Sequence, residues 1–232
     1  MLPTTILTAN RQNPGSSHSQ RAEAYARIKA RIVTLEMPPA SLVDEAQLMD
    51  DLGLGRTPIR EALQQLAAEN LIVILPRRGT LVADLNMSDL QKVFEIRLEL
   101  EPYAARLAAL RATPEQVAEM QALFAQAQAL PASGDHRRLI QLDDEFHRAL
   151  ARAAHNEFLE DALARLYSHV LRLWHVSLHR VSRLRDAIQE HREIIAAVTA
   201  RDPERAAQVM RAHVDGFQSA FQSVVRQTTL DQ

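Results

Sequence analysis

The sequence contains no cysteine and no long run of apolar residues. The absence of cysteine excludes disulfides, thiolate metal sites and a cysteine nucleophile, and it is compatible with a reducing compartment. Because a membrane-spanning helix needs roughly 18 or more consecutive apolar residues, no transmembrane segment is expected. The start of the chain also lacks the basic-then-apolar layout of a secretory signal. We therefore expect a soluble, cytoplasmic protein with no membrane partner.

Length and composition indicate a globular protein. The chain has 232 residues, of which 47% are hydrophobic and 24% charged, enough for two modest domains. Residues 1–20, which are rich in polar side chains, are predicted to form a flexible N-terminal arm. The net charge of −2 does not by itself indicate a nucleic-acid binder, but residues 56–80 contain four arginines and only two glutamates. Basic charge is therefore concentrated in one short region.

The stretch 52–63 reads as a tight turn followed by a helix. Gly53 and Gly55 permit the sharp turn. Thr57 is placed to cap the free amides of the helix, and Pro58 falls where a missing N–H costs nothing.

Two arginines lie at the beginning of this helix. Its apolar residues share one side, which leaves Arg60 on the opposite side and Arg56 at the amino-terminal end. The free N–H groups and the dipole of a helix N-terminus also favour phosphate. The alternative interpretation is that both arginines are solvated charges on a structural helix.

Three helices and a hairpin are predicted for residues 21–85. Apolar residues recur at helical spacing, and two β-branched runs flank a basic turn. The predicted elements are helices at about 25–35, 44–52 and 57–70 and strands at 71–75 and 80–83. The order helix, helix, helix, hairpin is that of a winged helix-turn-helix domain.

Residues 88–226 show helical periodicity without a strand signal, which predicts an antiparallel bundle of six or seven helices. The expected fold class is therefore mostly α, with the winged helix-turn-helix domain preceding the bundle. Arg97 lies beside an apolar row on the first helix of the bundle, and its simplest partner is Glu101, one turn further along. The apolar row comprises Val93, Ile96, Leu100, Tyr103 and Leu107.

Four ionisable side chains fall at positions that helical periodicity assigns to the core of the bundle. They are Asp143, His147, His191 and His213. One inward histidine is usually a hydrogen-bonded core residue, but three histidines and a carboxylate are costly to bury without a common partner. A divalent metal would be such a partner, and carboxylate and imidazole ligands suit zinc first, with Ni, Mn or Fe as alternatives.

The segments LGLGRTPIREALQQLAAENLI and PRRGTLVADL resemble the amino-terminal domain of the GntR family of transcriptional regulators. The resemblance implies that the third helix enters the major groove of double-stranded operator DNA and that the hairpin tip follows the adjacent groove. Arginine suits this role because its planar fork pairs with guanine or with phosphate. The DNA contacts implied by the resemblance are Arg56, Thr57, Arg60, Arg78 and Gly79.

The segments LDDEFHRALARAAHN, EHREIIAAV and MRAHV resemble the ligand-binding FCD-type bundle of the FadR-like branch of that family. The resemblance implies that Asp143, His147, His191 and His213 hold a metal, and that Arg97 binds the carboxylate of a small organic acid effector. It further implies a homodimeric repressor whose operator affinity the effector controls.

We therefore expect a DNA-binding transcriptional regulator and not an enzyme. A metal-dependent enzyme of helical-bundle type remains an alternative, because a histidine-rich metal site could activate water. No general base is evident beside the four residues, however, and the sequence has no Glu-x-x-His pair of the di-iron type. A DNA-binding protein whose metal is purely structural is the other alternative.

The assignment of the recognition helix predicts the effect of Arg60→Ala. The substitution should abolish sequence-specific DNA binding and leave the metal content unchanged, because the arginine would contact DNA and not the bundle. Electrophoretic mobility shifts with DNA selected by the wild-type protein, together with elemental analysis, would measure both quantities. Normal affinity for that DNA in Arg60→Ala would contradict the assignment.

Overall fold

The structure, a computed structural model, describes residues 14–131, 136–177 and 184–230. The described residues form nine helices and one two-stranded sheet, which confirms the predicted mostly-α fold class. They divide into two compact units, one formed chiefly by residues up to 84 and the other chiefly by residues from 85 onward. The elements are α1 (Pro14–Val33), α2 (Glu45–Leu52), α3 (Arg56–Ala68), β1 (Ile72–Leu75), β2 (Gly79–Val82), α4 (Met87–Arg111), α5 (Pro114–Ala129), α6 (His136–Ala153), α7 (Glu157–Ser177), α8 (Leu184–Thr199) and α9 (Pro203–Leu230).

The beginning of α1 differs from the sequence prediction. Residues 14–20 were assigned to the flexible arm, but α1 starts at Pro14 and includes them. Proline is favourable in the first turn of a helix, since its missing N–H has no intrahelical partner there. Residues 1–13 of the predicted arm lie outside the described part of the chain.

The turn between α2 and α3 depends on its end caps. Asp44 precedes α2 and accepts hydrogen bonds from the N–H groups of Ala46 and Gln47. Gly53 ends the helix with a φ of 66°, a left-handed conformation that glycine adopts at little cost. The sharp turn predicted at this glycine is therefore present.

The prediction that Thr57 caps α3 is wrong. The helix begins one residue earlier, at Arg56, so Thr57 lies inside the first turn. Gly55 occupies the cap position and offers no side-chain hydrogen bond. Pro58 also lies in that first turn, where the backbone N–H groups have no intrahelical partner.

The hairpin and the three helices enclose one small core. Strands β1 and β2 are antiparallel, with Ile72 opposite Val82 and Leu75 opposite Gly79. Helix α3 contributes most to the core through its buried apolar face, which comprises Ile59, Ala62, Leu63 and Leu66. This packing fixes which side of α3 faces solvent.

A buried carboxylate at the end of α3 attaches this helix to α1. Glu69 accepts hydrogen bonds from the Tyr25 hydroxyl at 2.7 Å and from Lys29 Nζ at 2.8 Å. Both donors lie on the same face of α1, one turn apart. The interaction therefore holds two helices in register as well as neutralising a buried charge.

The second unit is a bundle of six helices, α4 to α9, around a continuous apolar core. The apolar row beside Arg97 on α4 is only partly covered by the bundle, because Ile96 and Tyr103 are 48% and 47% exposed. The inward face of α4 includes Leu90, Phe94, Ala105 and Ala108. Small alanine side chains allow close approach of neighbouring helices, so α4 buries these residues in place of its bulky outer ones.

Within the described ranges, the search for a helix long and apolar enough to span a bilayer found none.

The packing of α3 predicts the effect of Leu66→Ala. Leu66 is fully buried, so truncation should lower the free energy of unfolding of this unit by about 2–5 kcal/mol. The matched control is Gln65→Ala at an exposed position of the same helix, where a change within about 0.5 kcal/mol is expected. Hydrogen exchange of the α3 and β1 amides would measure both values. Equal protection in the two variants would contradict the packing described here.

Candidate metal centre

Three helices of the bundle bring the four predicted ligand residues together. Asp143 and His147 lie one turn apart on α6, while His191 comes from α8 and His213 from α9. Each of the four is buried, with at most 8% of its surface exposed. One candidate ligand atom from each lies within 4.8 Å of the others. The periodicity that assigned these residues to the core was therefore correct.

Two of the imidazole rings direct the same nitrogen towards each other. His147 Nε2 lies 3.3 Å from His213 Nε2. His191 Nε2 lies 3.4 Å from Asp143 Oδ1, and His147 Nε2 lies 3.9 Å from the same oxygen. Three histidine nitrogens and one carboxylate oxygen thus surround a common point.

Two glutamates indicate which nitrogens carry the protons. Glu101 on α4 places Oε2 3.0 Å from His147 Nδ1, and Glu190 on α8 places Oε2 2.9 Å from His213 Nδ1. Each carboxylate favours a proton on the Nδ1 atom beside it, and in the neutral ring this leaves Nε2 with a lone pair. A cation between the two rings would accept a lone pair from each Nε2 atom. Carboxylates that hold the outer nitrogen of a ligating histidine are usual at metal sites.

His191 is buried without a hydrogen-bond partner for its Nε2 atom among the described residues. Its ring stacks on Phe146, with centroids 3.9 Å apart. Burial lowers the pKa of His191 well below its usual value, and the neighbouring His213 and His147 lower it further. A neutral imidazole with a free nitrogen is a metal ligand in its binding-competent form. These residues therefore fit a divalent metal.

The fourth candidate ligand is oriented by Tyr167 on α7. The tyrosine hydroxyl donates a hydrogen bond to Asp143 Oδ2, which leaves Oδ1 directed towards the histidines. Burial, followed by the charge of Asp143, raises the pKa of Tyr167 well above its ordinary value. The hydroxyl therefore remains a donor at neutral pH.

Arg97 lies next to the cluster through its partner Glu101. Arg97 Nε is bonded to Glu101 Oε1 across one turn of α4, which is the simplest partner expected from the sequence. Burial opposes ionisation of Glu101, but Arg97 and then His147 more than offset it and hold its pKa well below the ordinary value. Arg97 Nη1 is buried and has no hydrogen-bond partner among the described residues. A carboxylate ligand would supply one.

A partly open cavity of about 90 Å³ lies beside this part of the bundle. Its polar inner wall is formed by Glu101, His147 and Tyr167. Most of the remaining wall is apolar and belongs to α4, α6 and α7. A small molecule could therefore reach a candidate ligand residue without unfolding the bundle.

The five predicted DNA-contacting residues lie at two exposed places in the first unit. Arg56, Thr57 and Arg60 are exposed in the first two turns of α3, and Arg78 and Gly79 are exposed at the hairpin tip. Arg60 Nε forms an ion pair with Glu45 Oε2 at 2.9 Å, but both side chains remain partly accessible. An exposed pair of this kind is weak and can be exchanged for phosphate or a base edge.

Three residues of the centre were not predicted to act there. Glu101 was considered only as a partner for Arg97, although its place beside core positions was visible in the sequence. Glu190 precedes His191 and resembles any solvated acid of an amphipathic helix. Tyr167 carries no local signal, because its bond to Asp143 joins residues 24 positions apart.

Two family models match the chain. The model described as "Bacterial regulatory proteins, gntR family" matches residues 20–82, and the FCD domain matches residues 92–216. The fold of the two units and the two family matches together define a transcriptional regulator with an N-terminal DNA-binding domain. The chain belongs to the gntR family of bacterial regulatory proteins and carries an FCD domain. It is a regulator and not an enzyme, which removes the enzymatic alternative.

Similar proteins agree with this assignment. A probable D-xylose utilization operon transcriptional repressor of Paenarthrobacter nicotinovorans is 33% identical over 78% of this chain and 79% of its own length. The transcriptional repressor GlaR of Escherichia coli is 30% identical over 83% of this chain and 91% of its own. The structure of E. coli McbR/YncC has the same fold, with a TM-score of 0.78, 23% identity, and coverage of 88% of this chain and 97% of that one.

The geometry of the centre predicts the effect of a divalent metal on stability. Zinc at about 100 times its dissociation constant should stabilise the bundle by about 2.7 kcal/mol, a rise in melting temperature of about 5–10 °C. His191→Ala should abolish this rise and bind less than one zinc per ten chains, as measured by calorimetry and elemental analysis. The control is His155→Asn, a change at an exposed histidine with a φ of 48°, where asparagine is tolerated. Full zinc content in His191→Ala would contradict the ligand set.

Proposed function

We propose that this protein is a homodimeric repressor that binds operator DNA and is controlled by a small organic acid at a metal centre in the FCD domain. The metal would be held by Asp143, His147, His191 and His213, with zinc the first candidate and Ni, Mn or Fe the alternatives. The proposal rests mainly on one observation, which is that three buried imidazoles and one buried carboxylate surround a common point. Repression is supported by two relatives, GlaR of E. coli and the P. nicotinovorans protein, which are described as transcriptional repressors.

DNA binding is assigned to the exposed residues of α3 and of the hairpin. Arg56, Thr57 and Arg60 would meet the major groove and its flanking phosphates, while Arg78 and Gly79 would follow the adjacent groove. The φ of 100° at Gly79 and the Leu42 side chain only 3.3 Å from where a Cβ would lie both favour glycine at the tip. A regulator of this kind works in the cytoplasm, where bacterial DNA lies.

Effector recognition is assigned to Arg97 and the metal. A bound divalent ion is a Lewis acid that attracts the oxygens of a carboxylate. Arg97 would hold the acid through its unpartnered Nη1 atom, while Glu101 keeps the guanidinium in position through Nε. Tyr167 fixes the aspartate and, through its ring 5.3 Å from the arginine, also confines the guanidinium.

The route from effector to DNA passes along the chain through α4. This helix carries Arg97 and Glu101 and begins only a few residues after β2 ends. An acid changes operator affinity only to the extent that it binds the two conformations of the dimer differently. We propose that it favours the conformation in which the recognition helices do not match the half-sites.

A thermal-shift screen of small mono- and dicarboxylic acids and sugar acids tests this function. The protein would be compared after metal loading and after treatment with a chelator. An effector at about 100 times its dissociation constant should stabilise the metal-loaded form by about 2.7 kcal/mol and leave the stripped form unchanged. The same acid should weaken binding to selected DNA in mobility-shift assays.

Two variants control the screen. Arg97→Gln should keep its metal and lose the response to the acid, whereas Arg138→Gln, at a partly exposed arginine elsewhere in the bundle, should respond as the wild type does. If no acid shifts either form, the organic-acid proposal is wrong, and the metal is structural or serves a ligand that is not an acid. If the acid acts equally on metal-loaded and stripped protein, the metal does not take part in recognition.

A further inference from the structure

The outer face of α4 carries bulky apolar side chains that the bundle does not cover. Ile96, Tyr103 and Leu110 are all about half exposed or more, with 58% of Leu110 accessible. The three occur at intervals of seven residues, so they lie along one line on the helix surface. Exposed bulky apolar residues aligned on one face are typical of an interaction surface.

The charges beside this apolar line are arranged by sign along the helix. In the two turns before Tyr103 the exposed face carries Glu95 and Glu99, and in the turns after it Arg106 and Arg111. Arg111 already donates to the Ala154 carbonyl, whereas the side chain of Arg106 reaches out to Glu204 on α9. Lys92 lies further towards the N-terminus and is paired with Asp89, so the charges that flank Tyr103 are acidic on one side and basic on the other.

We propose that this face of α4 is the surface through which two copies of the chain form the homodimer. The two α4 helices would pack antiparallel about a two-fold axis at Tyr103. A two-fold axis pairs each position with the one equally far on the other side of the axis, so Ile96 would meet the partner's Leu110. The acidic half of each helix would then lie along the basic half of the other, with Glu99 beside the partner's Arg106.

A second copy explains the pattern better than an unrelated protein would. The face is complementary to itself in both charge and apolar content, which is what an isologous contact requires. A seven-residue apolar repeat also matches helices that cross at about 20°, which keeps the whole line in contact. The inference rests on the homodimer of the proposed function and adds the residues that form it.

Intramolecular ion pairs do not prevent this arrangement. Glu99 is bonded to Arg211 at 3.2 Å, and Arg106 to Glu204 at 2.7 Å. All four side chains are more than two-fifths exposed, and pairs of this kind contribute little to stability. They can therefore be exchanged or shared when a partner approaches.

The test uses charge reversal in the full-length chain, with sedimentation velocity over a range of concentrations. Glu99→Arg and Arg106→Glu should each raise the dimer dissociation constant by about tenfold or more, because like charges would then face each other twice. An equimolar mixture of the two variants should dimerise close to wild-type strength, since opposite charges meet again only between unlike chains. Intramolecular pairs stay broken in the mixture, so they cannot cause the recovery.

Tyr103→Asp should disrupt the dimer most strongly, by placing a charge at the axis. The matched control is Phe158→Asp, which changes an apolar residue that is 81% exposed at the start of α7 and should leave the dimer intact. Circular dichroism would verify that each variant is folded.

The results distinguish failure of the α4 interface from failure of the homodimer itself. If the wild type dimerises and all three α4 variants dimerise as strongly, the α4 interface is wrong and the homodimer stands. The same conclusion follows if only Phe158→Asp loses the dimer. A wild-type chain that is monomeric at every concentration overturns the homodimer of the proposed function as well.

Discussion

Two histidine Nε2 atoms lie 3.3 Å apart in the core of the bundle. The carboxylates of Glu101 and Glu190 lie beside the opposite ring nitrogens and so orient both rings. Without a cation, the bundle would bury these two rings with an aspartate and with a third histidine whose Nε2 has no hydrogen-bond partner among the described residues, an arrangement that costs free energy. Because the four residues come from α6, α8 and α9, any ion that relieves this cost also joins three helices. A metal bound at this centre would therefore stabilise the folded FCD domain.

Two charged residues of helix α4 are linked to this cluster. Arg97 holds Glu101, and Glu101 in turn holds His147, so the guanidinium and the candidate ligand share a single carboxylate. A carboxylate ligand that binds Arg97 would either displace Glu101 from the arginine or bind beside it. Because Glu101 also contacts His147, the position of the histidine would change in both cases. The same helix carries the exposed apolar line of Ile96, Tyr103 and Leu110 on its opposite side. If that line is the proposed dimer contact, an effector that shifts α4 would act on the cluster and on the dimer at once.

Sequence reasoning succeeded where one local pattern determines the outcome. The helix-turn-helix order, the hairpin and the inward position of the four ionisable residues all follow from periodicity and turn chemistry. It failed where the outcome depends on neighbours distant in the chain. Thr57 has the right chemistry for a cap, but α3 begins at Arg56 and Gly55 occupies the cap position. Tyr167 could not be assigned to Asp143, because that contact requires the geometry of α6 against α7.

The outer face of α4 shows a limit of apolar periodicity. Ile96 and Tyr103 share their spacing with buried positions, and periodicity alone cannot distinguish burial within a chain from burial between chains. Two buried faces are needed on a helix that contacts both its own bundle and a second copy, and its apolar residues then surround most of its circumference. The alanines of α4 supply the inner face and the bulky residues the outer one. Apolar residues on both faces of α4 are therefore what we expect of a helix that contacts a ligand site on one side and a second copy of the chain on the other.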